Sequence, residues 1–253
     1  MTLPLNKKYR PMEAMPASKL PAGPEWQYEP KWDGFRCLAF RDGKRVDLQS
    51  KAGKTLTRYF PELVTALTAL PATQFVLDGE IVIQQDGGLS FDQLLMRIHP
   101  AASRVLKLSQ ESPATFIVFD LLVDEKGTSL VNLPLQARRE QLERFAKKYC
   151  SKSKSIRLPP VAKDVAEAQK WFHMGVGLDG VVAKRRDLPY KAASAPAYRR
   201  SKNNAPPTAW WEDSATWKTA PWWDRYFSVF TTMKARSTTL DSLPPSAMRI
   251  ARQ

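Results

Sequence analysis

The sequence predicts an α+β domain followed by a tail of different character, on three observations. Four β-rich regions alternate with stretches of helical apolar spacing. The 253 residues are 43% hydrophobic, enough to bury a core. Beyond about residue 190 the periodicity stops. The expected organisation is an extended lead-in over 1–25, one domain over 26–190 and an irregular tail over 191–253.

Each element has its own signal. The lead-in carries several prolines and little periodicity. Residues 26–48 read as two or three strands, with Arg41-Asp-Gly-Lys44 turning through Asp-Gly. Phe60, Leu63, Val64, Leu67 and Leu70 recur at helical spacing, and Pro71 closes that helix. A strand over 75–84 is interrupted by Asp78-Gly-Glu80, and a carboxylate buried there needs a partner. A short helix at 90–96, an apolar strand at 115–123, helices at 135–149 and 165–174, and a strand at 180–184 complete the domain.

Thirty-nine Lys and Arg against 25 Asp and Glu give a net charge of +14, which favours a polyanionic partner. Residues 191–253 hold a surplus of six, leaving about +8 for the first 190. Two cysteines, Cys37 and Cys150, are too few for a disulfide framework and have no metal-ligand spacing. No apolar run approaches a membrane span and the start lacks a signal peptide, so a cytoplasmic protein without membrane association is expected.

The densest constellation is Glu29-Pro-Lys-Trp-Asp-Gly-Phe-Arg36. A lysine amine attacks phosphorus only when deprotonated and needs a cationic partner to hold the phosphate. Lys31 fits the nucleophile and Arg36 the partner, with Gly34 allowing a tight turn between them. A plain hairpin with a surface lysine is the bland alternative.

This stretch resembles the Lys-x-Asp-Gly-x-Arg signature of ATP-dependent DNA ligases, within the covalent nucleotidyltransferases. Further motifs follow in the family's order: Gln49-Ser-Lys-Ala-Gly53, Phe75-Val-Leu-Asp-Gly-Glu-Ile-Val82, Phe116-Ile-Val-Phe-Asp-Leu-Leu122 and Asp179-Gly-Val-Val-Ala-Lys184. The wording is similar to the small bacterial ligases that have only a catalytic core. The resemblance implies a mixed domain of antiparallel sheets flanked by helices (an adenylation, ATP-grasp-like fold) with a nucleotide pocket between them. It implies ATP and Mg2+ or Mn2+ as cofactors, and nicked double-stranded DNA as the partner of a monomer.

By the same resemblance Lys31 is the nucleophile, Glu29 lies beside adenine, and Arg36 lies near the ribose and phosphates. Glu80 contacts ribose or metal, Phe119 stacks on adenine, Lys184 holds the α-phosphate, and Asp179 is a second metal contact. Lys31, Glu80, Phe119 and Lys184 should then converge. Alternatives remain at several positions: core packing for Phe119, a solvated face for Lys184, an ion pair for Glu80, and loop orientation for Asp33. Two residues depart from the family pattern. Lys51 replaces an arginine and offers a point charge instead of a planar fork. Asp179 replaces a glutamate and reaches one methylene less far. An RNA ligase, a capping-type transferase, or a non-catalytic fragment that binds nucleotide or nicked DNA are the rival readings.

Five of the eight tryptophans lie beyond residue 200, in a stretch with neither helical nor strand period. A base-stacking platform is one reading. Codon logic gives a second. The third base of each codon with the first two of the next forces Val from Trp-Trp, Gly from Trp followed by an acid, and Glu from Trp-Lys or Met-Lys. Across 201–245 all six forced positions agree with the family's fifth motif and the start of its oligonucleotide-binding barrel. The tail is therefore read as an out-of-frame rendering of that region, with the barrel absent from this chain and activity impaired.

Overall fold

The computed structural model describes residues 3–85, 87–173, 178–192 and 198–202. The expected irregular tail, from 203 onward, lies outside the described residues. Ten strands, five α-helices and short helical turns form two sheets among the described residues.

Three strands near the start follow the sequence closely: β1 (Met15–Pro16) is a brief pairing in the lead-in, β2 (Trp26–Trp32) carries the Lys31 motif, and β3 (Phe35–Asp42) follows it. The Asp-Gly turn joins β3 to β4 (Arg45–Ser50), pairing Asp42 with Arg45. The helix expected over 57–70 is split. A 3-10 turn at Thr57–Tyr59 precedes α1 (Pro61–Thr68), because Pro61 supplies no amide hydrogen and suits a first helical turn.

The long strand β5 (Gln74–Gln85) runs antiparallel to β3 on one side and to β7 (Ala114–Val123) on the other, and β6 (Gly88–Leu89) pairs with its end. Helix α2 (Phe91–Arg97) starts where the Ser90 side chain accepts from the Gln93 amide. Helix α3 (Ala102–Glu111) has no side-chain cap and buries little beyond Val105 and Ser109, so its sequence signal was too weak to read. Helix α4 (Leu135–Phe145) continues as a π-helical turn, Ala146–Cys150. Then come β8 (Ile156–Arg157), α5 (Val165–Gln169) and β9 (Leu178–Arg185). Met174, at the end of the expected 165–174 helix, lies outside the described residues; α5 gives way to a 3-10 turn at Lys170–His173.

The larger sheet has the order β4-β3-β5-β7-β8, and the smaller one, completed by β10 (Tyr198–Lys202), has the order β1-β10-β9-β2. Both are antiparallel except at the edges, where β7–β8 and β1–β10 are parallel. Strand β10 (Tyr198–Lys202) pairs along β9, so regular structure extends past the boundary expected at 190. The lead-in is also part of the fold: Met12 is fully buried, and Tyr28 and Ala162 bridge the smaller sheet to the segment before α5.

Alternation on the larger sheet gives it two faces. Cys37, Ala39, Phe75, Leu77, Ile81 and Phe116 point into the main core with Leu63 and Leu67 of α1 and Leu142 and Phe145 of α4. Leu38, Phe40 and Val76 lie in a second cluster with Met12, Leu135 and Tyr190. The strand positions between these, Arg36, Asp78 and Glu80, form the site described next. No helix among the described residues is long and apolar enough to cross a membrane.

Candidate active site

Strands β2 and β9 bring the two ends of the domain together. Their register sets Lys31 opposite Gly180 and Gln27 opposite Lys184. Lys31 and Glu29 share a strand parity, two residues apart, while Asp179 and Lys184 stand at the start and end of β9. Lys31 Nζ is paired with the Asp179 carboxylate. At the buried end Lys184 Nζ lies 2.6 Å from Glu29 Oε2, and Gln27 Nε2 donates to Glu29 Oε1 at 3.0 Å. Both members of the Glu29–Lys184 pair are almost fully buried, so each carries the desolvation of the other.

The chain leaves β2 through Asp33-Gly34 and enters the larger sheet at β3. Gly34 is required by close approach: a Cβ there would sit 2.3 Å from the Ile81 carbonyl oxygen. Gly79 is constrained in the same way, 2.4 Å from the Ile117 carbonyl oxygen. These two contacts let β3, β5 and β7 approach tightly and set Arg36 beside Glu80 in register.

Arg36 is the centre of the larger sheet's contribution. Its Nε and Nη2 donate to Asp78 Oδ1 and Oδ2, both at 2.7 Å, a bidentate pair that fixes the guanidinium plane. The buried carboxylate anticipated in the Asp78-Gly-Glu80 interruption thus has its partner. Two cations approach the Phe119 ring, with Arg36 Cζ and Lys184 Nζ each 4.4 Å from its centroid. Four of the expected residues, Glu29, Arg36, Phe119 and Lys184, therefore form one connected cluster across the two sheets.

Glu80 stands next to that cluster, and its carboxyl makes no hydrogen bond among the described residues. Burial pushes its pKa up to about 8, against the opposing pull of Arg36 and with a further push from Asp78; Lys31 and Asp33 act on it more weakly. Lys31 and Glu80 thus feel each other electrostatically. Asp33 is likewise raised, first by burial and then by Asp179, with Lys31 opposing. Lys51 is on the periphery, in an ion pair of 2.7 Å with Glu13, both side chains more than half exposed.

Among the described residues no three His, Cys, Asp or Glu side chains gather into a cation cage. The donors present suit a different arrangement, in which one or two carboxylates hold a magnesium-like ion that completes its shell with phosphate oxygens and water. Asp179 is 44% exposed and has Asp33 within electrostatic reach, which fits that role. Burial raises the Glu80 carboxyl, and a cation beside it would oppose that shift, so Glu80 is a second carboxylate suited to the same ion. The cysteines Cys37 and Cys150 are free and buried, and burial pushes the Cys150 thiol up to about 12, outside the range of a reactive thiolate.

The family model for the ATP dependent DNA ligase domain matches residues 11–202. The chain belongs to that family. DNA ligase C2 of Mycolicibacterium smegmatis is 45% identical over 196 residues, covering 76% of this chain and 53% of its own. DNA ligase C of Mycobacterium tuberculosis is 44% identical over 196 residues, with the same coverage of 76% and 53%. The chain thus spans about half the length of the curated relatives it matches. Among solved structures, a mycobacterial DNA ligase D complexed with ATP and MES aligns with a TM-score of 0.58 at 28% identity, covering 78% of this chain and 60% of that one. The mixed fold with antiparallel sheets is that of the ligase nucleotidyltransferase domain, and the match reaches past residue 190 into β10.

Several residues of this ligase domain's site were invisible to motif reading. Asp78 was seen as a carboxylate in need of a partner, but Tyr190 and Met12, which also contact it or its partner, carried no signal. Both sit in segments without periodicity, and only the closure of β2 on β9 brings them to β5.

Proposed function

We propose that this ligase domain activates ATP by forming a lysyl-AMP bond on Lys31 and passes the AMP to the 5′-phosphate of nicked double-stranded DNA. The observation that carries the reading is the antiparallel pairing of β2 with β9, which sets Lys31 and Lys184 along one edge of a cluster containing Arg36, Phe119 and Glu80. In the first step the free amine of Lys31 attacks the α-phosphorus, an N–P bond forms, the bond to the bridging oxygen breaks, and pyrophosphate leaves. The amine proton goes to solvent or to Asp179. In the second step a DNA 5′-phosphate oxygen displaces Lys31, and in the third the 3′-hydroxyl displaces AMP.

The chain's own residues supply positioning and charge, on which phosphoryl transfer chiefly depends. The ammonium form of Lys31 is held by Asp179, so attack requires that carboxylate to be drawn away. With nucleotide phosphates present, Asp179 would release Lys31 and hold a divalent cation. When bound, such a cation neutralises charge on those phosphates and on the departing pyrophosphate. Phe119 offers a face for adenine, Glu29 a carboxylate at its edge, Lys184 and Arg36 cations for the α-phosphate and ribose, and Glu80 a carboxyl for the ribose hydroxyls or a divalent cation.

The family match ends at Lys202, beside the point where the alternative frame begins. That supports reading the rest as out of frame, and a chain without the barrel's cations self-adenylates poorly. The expected setting is cytoplasmic DNA repair and recombination. Incubation with α-labelled ATP and denaturing electrophoresis tests the reading: label on the wild type, none on Lys31→Ala, and stronger label on a version with the frame restored. Equal label on wild type and Lys31→Ala sinks the assignment of the nucleophile.

A further inference from the structure

Tyr190 is far from Arg36 in sequence, yet both hold the same carboxylate. The Tyr190 hydroxyl donates to Asp78 Oδ2 at 2.6 Å and accepts from the Met12 amide at 2.8 Å. Arg36 grips Asp78 through two bonds and adds a third, from Nη2 to the Met12 carbonyl oxygen at 3.2 Å. The four residues close a ring of hydrogen bonds: Arg36 to Asp78, Tyr190 to Asp78, Met12 to Tyr190, and Arg36 back to Met12. Asp78, Met12 and Tyr190 are 0%, 1% and 4% exposed. In such a dry environment each bond strengthens its neighbours, and a missing one is costly.

The rest of Tyr190 is equally constrained. Its ring stacks on Tyr9, with centroids 6.1 Å apart, and lies 5.5 Å from Arg138 Cζ. Its amide donates to the Val131 carbonyl oxygen, and the next amide, of Lys191, reaches Met12 Sδ. The hydroxyl is therefore delivered by a rigid frame. Arg36, by contrast, spends Nε and Nη2 on this ring and leaves Nη1 without a protein partner among the described residues. The guanidinium carbon lies 4.4 Å from the Phe119 ring centroid.

We propose that Tyr190 is a positioning residue for the nucleotide site: its hydroxyl fixes the Asp78 carboxylate, and through it the plane of Arg36, so that the Nη1 edge meets an oxygen of bound ATP. The inference rests on the ATP-dependent reading above. Tyr190 touches no nucleotide atom itself. The lead-in segment, through Met12, belongs to the same ring.

The test is a double-mutant cycle of Tyr190→Phe and Arg36→Ala, read on the ATP Kd by equilibrium dialysis and on the rate of self-adenylation. Tyr190→Phe keeps the stacked ring and removes the hydroxyl, so the expected loss is roughly tenfold in ATP affinity or labelling rate. In the Arg36→Ala background the same change costs less than about twofold, because the group it orients is gone. Additive losses in both readouts overturn the proposal, since a purely structural tyrosine weakens both backgrounds alike. If the wild type binds ATP without becoming labelled, the lysyl-AMP reading fails and the cycle on Kd still decides the role of Tyr190. A wild type that binds no ATP overturns both. Should Tyr190→Phe not fold, a ring-fluorinated tyrosine at 190 keeps the ring and strengthens the donor; an unchanged Kd then counts against the proposal.

Discussion

Lys31 and Asp179 meet across the β2–β9 pair, the proposed nucleophile paired with a carboxylate 148 residues away. Replacing Asp179 by Asn removes a cation ligand. Self-adenylation of Asp179→Asn should fall about tenfold at low Mg2+, with the half-saturating metal concentration raised by a similar factor. Titration of labelling against MgCl2 checks this, and an unchanged metal dependence would remove Asp179 from the cation site.

Glu80 gives a pH-dependent stability with a definite sign. Its carboxyl is raised to about 8 from an ordinary value of 4.5, so between those values the folded state binds more protons than the unfolded. Stability from this group is intact below about pH 4.5 and is lost as the pH rises through 8. Glu80→Gln should flatten that decline and gain about 1–2 kcal/mol at pH 8.5, less than the full shift because the group is partly exposed. Urea denaturation from pH 5 to 8.5 reads it directly.

Phe119 has two cations within 4.4 Å of its ring centroid. Phe119→Leu keeps the apolar volume and loses the ring's negative faces, so it should weaken ATP binding about tenfold and destabilise the fold by about 1–2 kcal/mol. Dialysis and thermal melts on the same sample separate the two effects. A variant with wild-type ATP affinity would leave Phe119 as core packing only.

Asp120 and Arg138 form a buried bidentate pair with both bonds at 2.9 Å, with the Arg138 guanidinium 5.5 Å from the Tyr190 ring. Asp120→Ala should cost about 3–5 kcal/mol, because it strands a guanidinium in the interior. A loss below about 1 kcal/mol in urea denaturation would show that the arginine finds another carboxylate or water.

Much of this was legible because the family's chemistry is concentrated in short strands. The Asp-Gly turn after β3, the apolar run of β7 and the capped start of α2 follow local rules that need no tertiary knowledge. The motif lysines were found for the same reason. Local rules failed where long-range contacts decide. Pro61 broke a helix that the apolar spacing had drawn as continuous, and α3 escaped because its buried face is two residues wide. Strand β10 exists by pairing with β9, not by its own sequence Tyr198-Arg-Arg-Ser-Lys202, which is mostly basic. Tyr190 and Met12 are ordinary residues in unpatterned segments, and their importance comes wholly from the partners that folding gives them.

The pairings that build the site span sequence separations of 148, 155 and 178 residues. Contacts of that reach pay the entropy of closing a very long loop before they return any enthalpy, and such topologies fold slowly. During synthesis β2 and β3 emerge first and wait, with the edge of β2 unpaired, until β9 and Tyr190 follow. A nascent chain shorter than about 190 residues lacks the β9 and Tyr190 contacts and leaves the edge of β2 unpaired. The rate at which this ligase domain becomes competent is set by the arrival of its last strands, and a holdase that covers β2 should raise the yield of active protein more than one acting on the helices.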